Sequence, residues 1–175
     1  MRQSILVGIL ELKMKIKNNT ILAIDPGTLN CGYCFMTEGM SLVEYGLIKT
    51  KEITWLKNCE NVWFRLQELY FERWPKHIII EYPELHAGMM ALAARESGAI
   101  FKLSFLCGGM YSMFNETSSI EIVKPSTWKG QLPKEVVRKR LYKIYPEIKN
   151  KDLDHNIVDA IGIGYYTIKN RSINQ

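Results

Sequence analysis

The sequence predicts an α/β protein: one five-stranded mixed sheet flanked by helices on both faces. Three observations predict it. Two short aliphatic runs, Ile21–Ile24 and Ile78–Ile80, are continuous and bounded by turn residues, as strands covered on both faces are, and each is followed by a carboxylate. Between and after them, apolar residues recur at helical spacing. The resulting order is three strands, helix, strand, helix, strand, helices, which suits a single mixed sheet.

Taken in order, residues 20–25 form the first strand, and Pro26-Gly27 turns the chain, Pro fixing φ and Gly permitting a positive φ. Residues 31–36 and 42–48 alternate loosely and complete an antiparallel meander around Glu38-Gly39. Trp55, Cys59, Val62, Trp63, Leu66, Leu69 and Tyr70 make a helical stripe over about 52–73, and Trp74-Pro75 ends it. Residues 77–81 are the fourth strand, central because its apolar residues are continuous. An Ala-, Met- and Leu-rich helix is expected over 86–106, with Gly108-Gly109 as its stop or Met110–Phe114 as its continuation. Residues 120–123 are a fifth strand. Pro133 opens a helix that stops before Pro146, and a last helix spans about 154–169. Residues 19–175 are read as one domain, and residues 1–18 as an N-terminal extension, partly disordered, with Met14 a more natural opening of the domain.

A chain of 175 residues with 47% apolar residues suits a single globular domain rather than a disordered one. The net charge of +5 only hints at a polyanionic partner. No apolar stretch reaches membrane-spanning length, and Ile5–Leu10 lacks the cleavage site of a signal peptide. The four cysteines at 31, 34, 59 and 107 form no disulfide framework and suit a reducing cytoplasm. Cys31 and Cys34 make a C-x-x-C, but on a strand residues three apart face opposite sides, and no second pair completes a zinc site.

Chemistry concentrates in the acids. Asp25, Glu81 and Asp159 stand at three well-separated element ends, and parallel first and fourth strands would place Asp25 and Glu81 side by side. Any one alone reads as a solvated end residue, but three gathered carboxylates repel unless a cation joins them. An all-oxygen site favours Mg²⁺ or Mn²⁺, and a two-ion site suits phosphodiester hydrolysis. His155 and Asn156 precede Asp159 by four and three residues, on its face of the helix. His155 reads as a metal ligand, a proton shuttle or an ordinary helix-start residue. Asp152 or Asp154 is the expected N-cap.

A basic segment holds Lys124, Lys129, Lys134, Arg138, Lys139, Arg140 and Lys143 against the single acid Glu135. It follows a strand whose end should lie near the acids, which favours phosphate contact over a merely solvated face. Lys124, Lys129, Lys134 and Arg138 are the candidate DNA-binding residues. Trp128 and Gly130 add a possible stacking or backbone-approach point.

Together ILAIDPGTLNCGYCF, HIIIEYPELHAG, IVKPSTWKGQLPKEVVRKRL and DHNIVDAIGIGYY resemble the RuvC-type Holliday junction resolvases of the RNase H-like superfamily, over about residues 19–168. The nearest look is that of the phage or viral branch. The resemblance implies an RNase H-like fold and Mg²⁺-dependent cleavage of four-way junction DNA by a homodimer, two ions per site, with Mn²⁺ able to substitute. It implies action in the cytoplasm, that of a host if the chain is phage-encoded. It makes Asp25, Glu81 and Asp159 the metal-binding acids, and Lys124 and Lys134 the DNA-contacting lysines. The fourth ligand is Asn156 by register, His155 by chemistry, and Asp154 as an outsider. The family's aromatic wedge is replaced by Glu84, which leaves Leu85, His86 or Met89 to open the junction. The dimer would form around the helix expected over 86–106. Rival readings are a nuclease of RNA–DNA hybrids or precursor RNA, an actin-like ATPase (for which the chain is one domain short) and a DNA-binding module without activity.

Overall fold

The computed structural model describes residues 19–84 and 97–173. They form β1 (Thr20–Asp25), β2 (Asn30–Thr37), β3 (Leu42–Lys49), α1 (Trp55–Arg73), β4 (His77–Glu81), α2 (Ala99–Phe114), β5 (Ser119–Val123), α3 (Pro125–Trp128), α4 (Lys134–Ile144), a 3₁₀ turn (Pro146–Ile148) and α5 (His155–Ile173). The sheet runs β3-β2-β1-β4-β5. β2 is antiparallel to both β1 and β3, while β4 is parallel to β1 and β5. The expected mixed sheet is therefore observed. The N-terminal extension and the opening of the helix expected over 86–106 lie outside the described residues.

Strand periodicity sorts the core into two layers. Leu22, Ile24, Ile78 and Ile80 face Val62 and Leu66 of α1 and Leu106 and Met110 of α2. Ile21, Ala23 and Ile79 face the other way, onto Val158 and Ile161 of α5, with Trp128 of α3 and Leu141 of α4 in the same layer. Every residue of β1 is buried, as the aliphatic run requires. Full burial of one such side chain is worth about 1.5–3 kcal/mol. Cys31 and Cys34 fall into opposite layers as buried free thiols, so the C-x-x-C is two unrelated core positions.

Local chemistry explains the boundaries. The Thr54 hydroxyl accepts the Lys57 N–H at 3.3 Å and starts α1, and Trp74, at φ 47°, closes it in a left-handed C-cap. Gly108-Gly109 do not stop α2, which runs on to Phe114. A Cβ on Gly109 would lie 2.2 Å from the Trp63 ring, so this glycine lets α1 and α2 pack closely, and the Trp63 indole donates to the Leu106 carbonyl at 3.0 Å. Gly27 also serves differently from expectation. Its φ is not in the left-handed region, but a Cβ there would stand 2.1 Å from the Asn30 carbonyl oxygen. The turn after β1 needs a missing side chain rather than an unusual dihedral. Among the described residues, no helix is long and apolar enough to cross a membrane.

Candidate active site

Parity and register bring the first two acids together. Ile24 pairs with Ile80 across the parallel β1–β4 ladder, so Asp25 and Glu81 stand one step on, at the same rim. Both share the strand parity of Ala23 and Ile79, which face α5. The third acid arrives through a glycine. Asp25 pairs with Gly32 on β2, and a Cβ on Gly32 would lie 2.0 Å from the Asn156 carbonyl oxygen. The backbone of α5 thus rests on β2 directly beside Asp25, and Asp159 follows one turn later, buried at 8% exposure. Glycine inside a strand signals close backbone approach, and Gly32 was the readable sign of this contact.

Asp154, not Asp152, caps α5. Its carboxylate accepts the Asn156 N–H at 3.0 Å, and its carbonyl accepts the N–H groups of Ile157 and Val158. The Asn156 amide also donates to Asp154 Oδ1 at 3.0 Å. His155 is mostly exposed, with Nδ1 3.4 Å from the same oxygen. Both candidates for a fourth ligand therefore contact the capping carboxylate, on the helix face that carries Asp159.

The basic segment delivers its residues unequally. Lys129 Nζ lies 3.9 Å from Glu81 Oε2, and Lys134 Nζ lies 3.5 Å from Asp159 Oδ2. Lys124 is exposed and sits at the N-cap of α3. Arg138 is engaged inside the protein, donating to the Tyr142 hydroxyl at 2.7 Å and to the Leu153 carbonyl at 2.8 Å. Trp128 is not a stacking platform. It is buried, its ring lies where a Cβ on Gly162 would be 2.6 Å away, and its indole N–H donates to Glu81 Oε2. Glu84, in the place of the family's aromatic wedge, accepts from the Ser126 N–H at 3.2 Å and from its hydroxyl at 3.0 Å. Leu85, His86 and Met89 lie outside the described residues.

The electrostatics follow from this gathering. Burial, and then the neighbouring Glu81 and Asp159, hold the Asp25 carboxyl well above its usual range, against the pull of Lys129 and Lys134. Burial likewise raises Glu81, while Lys129 and the Trp128 indole oppose the rise. The donor set is all oxygen and its charges repel, the chemistry of a hard divalent cation site. Two ammonium groups currently lie against two of the three carboxylates. Among the described residues, no three Asp, Glu, His or Cys side chains are drawn into a closed ligand cluster. The acids share a rim, then, without closing into a cage.

No protein-family model matches the chain. Among curated proteins it is similar to the crossover junction endodeoxyribonuclease RuvC of Aliarcobacter butzleri, 31% identical over 151 residues, covering 82% of this chain and 94% of the relative. The protein of the same name from Campylobacter concisus is 30% identical over 174 residues, covering 88% and 99%. Among solved structures it resembles T. thermophilus RuvC in complex with a Holliday junction substrate, with TM-score 0.69 and 18% identity over 87% of this chain and 95% of that one. It also resembles the yeast mitochondrial Holliday junction resolvase Ydc2, with TM-score 0.60 and 12% identity over 90% and 82%. These structural likenesses show the fold, which is RNase H-like. The sequence relatives are bacterial, so the look of a phage or viral branch finds no support in them.

Proposed function

Because the chain belongs to the RuvC family of crossover junction endodeoxyribonucleases, we propose that it is a structure-selective DNA endonuclease that resolves four-way junctions by metal-dependent phosphodiester hydrolysis. The observation that carries this reading is the convergence of Asp25, Glu81 and Asp159 on one sheet rim, with Lys129 and Lys134 against them. Asp25, Glu81 and Asp159 would hold Mg²⁺, two ions per site with Mn²⁺ as substitute, and His155 or Asn156 would complete the set. When bound, the ions supply an activated water and charge stabilisation at the leaving oxygen. The chain's own groups do the rest. The buried carboxylates fix where positive charge collects. Lys124 and Lys134, both exposed, reach out to backbone phosphates, and Lys129 guards the inner wall beside Glu81.

Paired cuts across a junction need two such sites, and a homodimer supplies them by symmetry. The support here is α2, whose Phe101 is 76% exposed and whose Phe105 and Tyr111 are each 47% exposed. Sedimentation of the purified chain tests the dimer, a monomer at working concentration counting against it. The buried free thiols suit action in the cytoplasm.

The deciding experiment is cleavage of a synthetic four-way junction beside duplex, flap and RNA–DNA hybrid substrates, with and without Mg²⁺. Selective, Mg²⁺-dependent nicking of the junction is expected. Asp25→Asn, Glu81→Gln and Asp159→Asn should each abolish it while leaving junction binding largely intact. Preference for the hybrid would redirect the substrate assignment, and binding without cleavage would make the chain a recognition module.

A further inference from the structure

We propose that Trp128 is a positioning residue for Glu81: its indole N–H anchors one carboxylate oxygen and so fixes the direction in which the other can bind a metal. The inference rests on the nuclease reading for its consequence in catalysis, but its geometry stands apart from that reading.

The indole N–H is a donor only, and a buried one needs an acceptor. Here the acceptor is Glu81 Oε2, and Trp128 is only 4% exposed. The ring is held on two sides. Gly162 of α5 leaves space for it where a Cβ would stand 2.6 Å from the six-membered ring, and the Lys129 ammonium lies 4.8 Å from the ring centroid. Its backbone is held as well. α3 is a bracket of four residues in which Ser126 binds Glu84 with both its N–H and its hydroxyl, while Trp128 binds Glu81. The residues that leave β4 are thereby latched to the residues that leave β5. Tyr82 N–H donates to the Val123 carbonyl at 2.7 Å and extends the latch along the backbone.

A carboxylate has two oxygens. With Oε2 committed to Trp128, Oε1 is the one left to meet a cation, and its orientation is set by a rigid ring rather than by a flexible chain. Partners of this outer kind are typically worth 10–100-fold in metal affinity or activity. Lys129 approaches the same Oε2, so ring and ammonium restrain one oxygen together.

The test is Trp128→Phe, which keeps an aromatic ring against Gly162 and removes only the donor. Calorimetric titration with Mn²⁺, without DNA, should show affinity about 10–100-fold weaker than wild type. Junction binding should be unchanged. The metal concentration that half-saturates cleavage should rise with the dissociation constant. A Glu81→Ala background should erase the difference between Trp and Phe at 128. Wild-type metal affinity in a folded Trp128→Phe chain would overturn the proposal. Weakened Mn²⁺ binding without any junction cleavage in the wild type would sink the nuclease reading and leave this one standing. Should Trp128→Phe not fold, the wild-type indole proton decides. Of four tryptophan indole resonances, that of Trp128 should move upfield in Glu81→Ala, and an unmoved resonance refutes the bond.

Discussion

Gly32→Ala is the sharpest perturbation of the site, because it touches none of its charged groups. The new Cβ would stand 2.0 Å from the Asn156 carbonyl oxygen, 2.4 Å from its carbon and 3.0 Å from the Ile157 nitrogen. All three atoms are backbone, so no side chain can swing aside. Restoring ordinary contact moves the start of α5 by about 1.4 Å, since a close-packed interior does not absorb overlap by thinning. Overpacking of this kind costs about 1–3 kcal/mol. For a domain of this size that is a fall in Tm of roughly 2–12 °C. The effect on turnover should be larger in proportion. Asp159 rides on the displaced turn, and a misplacement of about 1 Å can cost about 100-fold in rate. The expected variant is folded, slightly less stable, able to bind a junction and about 100-fold slower in cutting it. Melting by circular dichroism, a binding isotherm and single-turnover cleavage read the three quantities separately. Wild-type turnover in a folded Gly32→Ala protein would refute the claim that this glycine sets the position of Asp159.

Three further outcomes are expected. Asp25 carries its native pKa above the ordinary 3.8, so the native state holds that proton more tightly and stability is lost as pH rises from 3.8 through the native value. Asp25→Asn should therefore melt above wild type at pH 7 in EDTA, and a lower Tm there would contradict the burial argument. Lys124→Ala and Lys134→Ala should each weaken junction binding and reduce the logarithmic salt slope by about one; unchanged slopes in both would return these lysines to a solvated face. His155→Ala should slow cleavage more than Asn156→Ala, because an amide offers a metal only a neutral oxygen whereas an imidazole can act as ligand or hold a proton, and Asp154→Ala should cost about 1 kcal/mol of helix capping rather than turnover. Full rate and an unaltered pH–rate profile in His155→Ala, with loss in Asn156→Ala, would reverse that ranking.

What could be read in one dimension was whatever repeats with a period. The unbroken aliphatic runs before Asp25 and Glu81 announced buried strands; their parallel pairing, which the runs alone did not fix, brings the terminal acids together. Asp159 was legible for a similar reason, since helical spacing fixed its face. Features that depend on which surface meets which were harder to see. Trp128 lies in PSTWKG among lysines and looks like a nucleic-acid platform; its burial follows from Gly162, 34 residues on, whose missing Cβ nothing local connects to it. Gly108-Gly109 left a stop and a continuation to Phe114 equally readable, because a glycine pair weakens an isolated helix, and the close contact of Gly109 with Trp63 that accompanies the continuation is tertiary. Arg138 joined the basic segment by count, yet a count cannot show that its guanidinium is already holding the Leu153 carbonyl.

The alternation that seats Ile21, Ala23 and Asp25 toward α5 also governs how this protein can diverge. Removing or adding one residue inside β1 would turn Asp25 to the opposite layer, among Leu22 and Ile24's partners on α1, and would strand a carboxylate in hydrocarbon. The same holds for β4 and Glu81. Point replacements along these strands can drift through any aliphatic residue of suitable volume, while the number of residues cannot drift at all. Length changes must fall in the connections instead, such as 50–54 or 149–153, where no strand parity is at stake. A lineage descended from this chain should therefore keep the count from Thr20 to Asp25 and from His77 to Glu81 long after the letters between them have changed, and an insertion inside either strand would mark a branch that had lost the site.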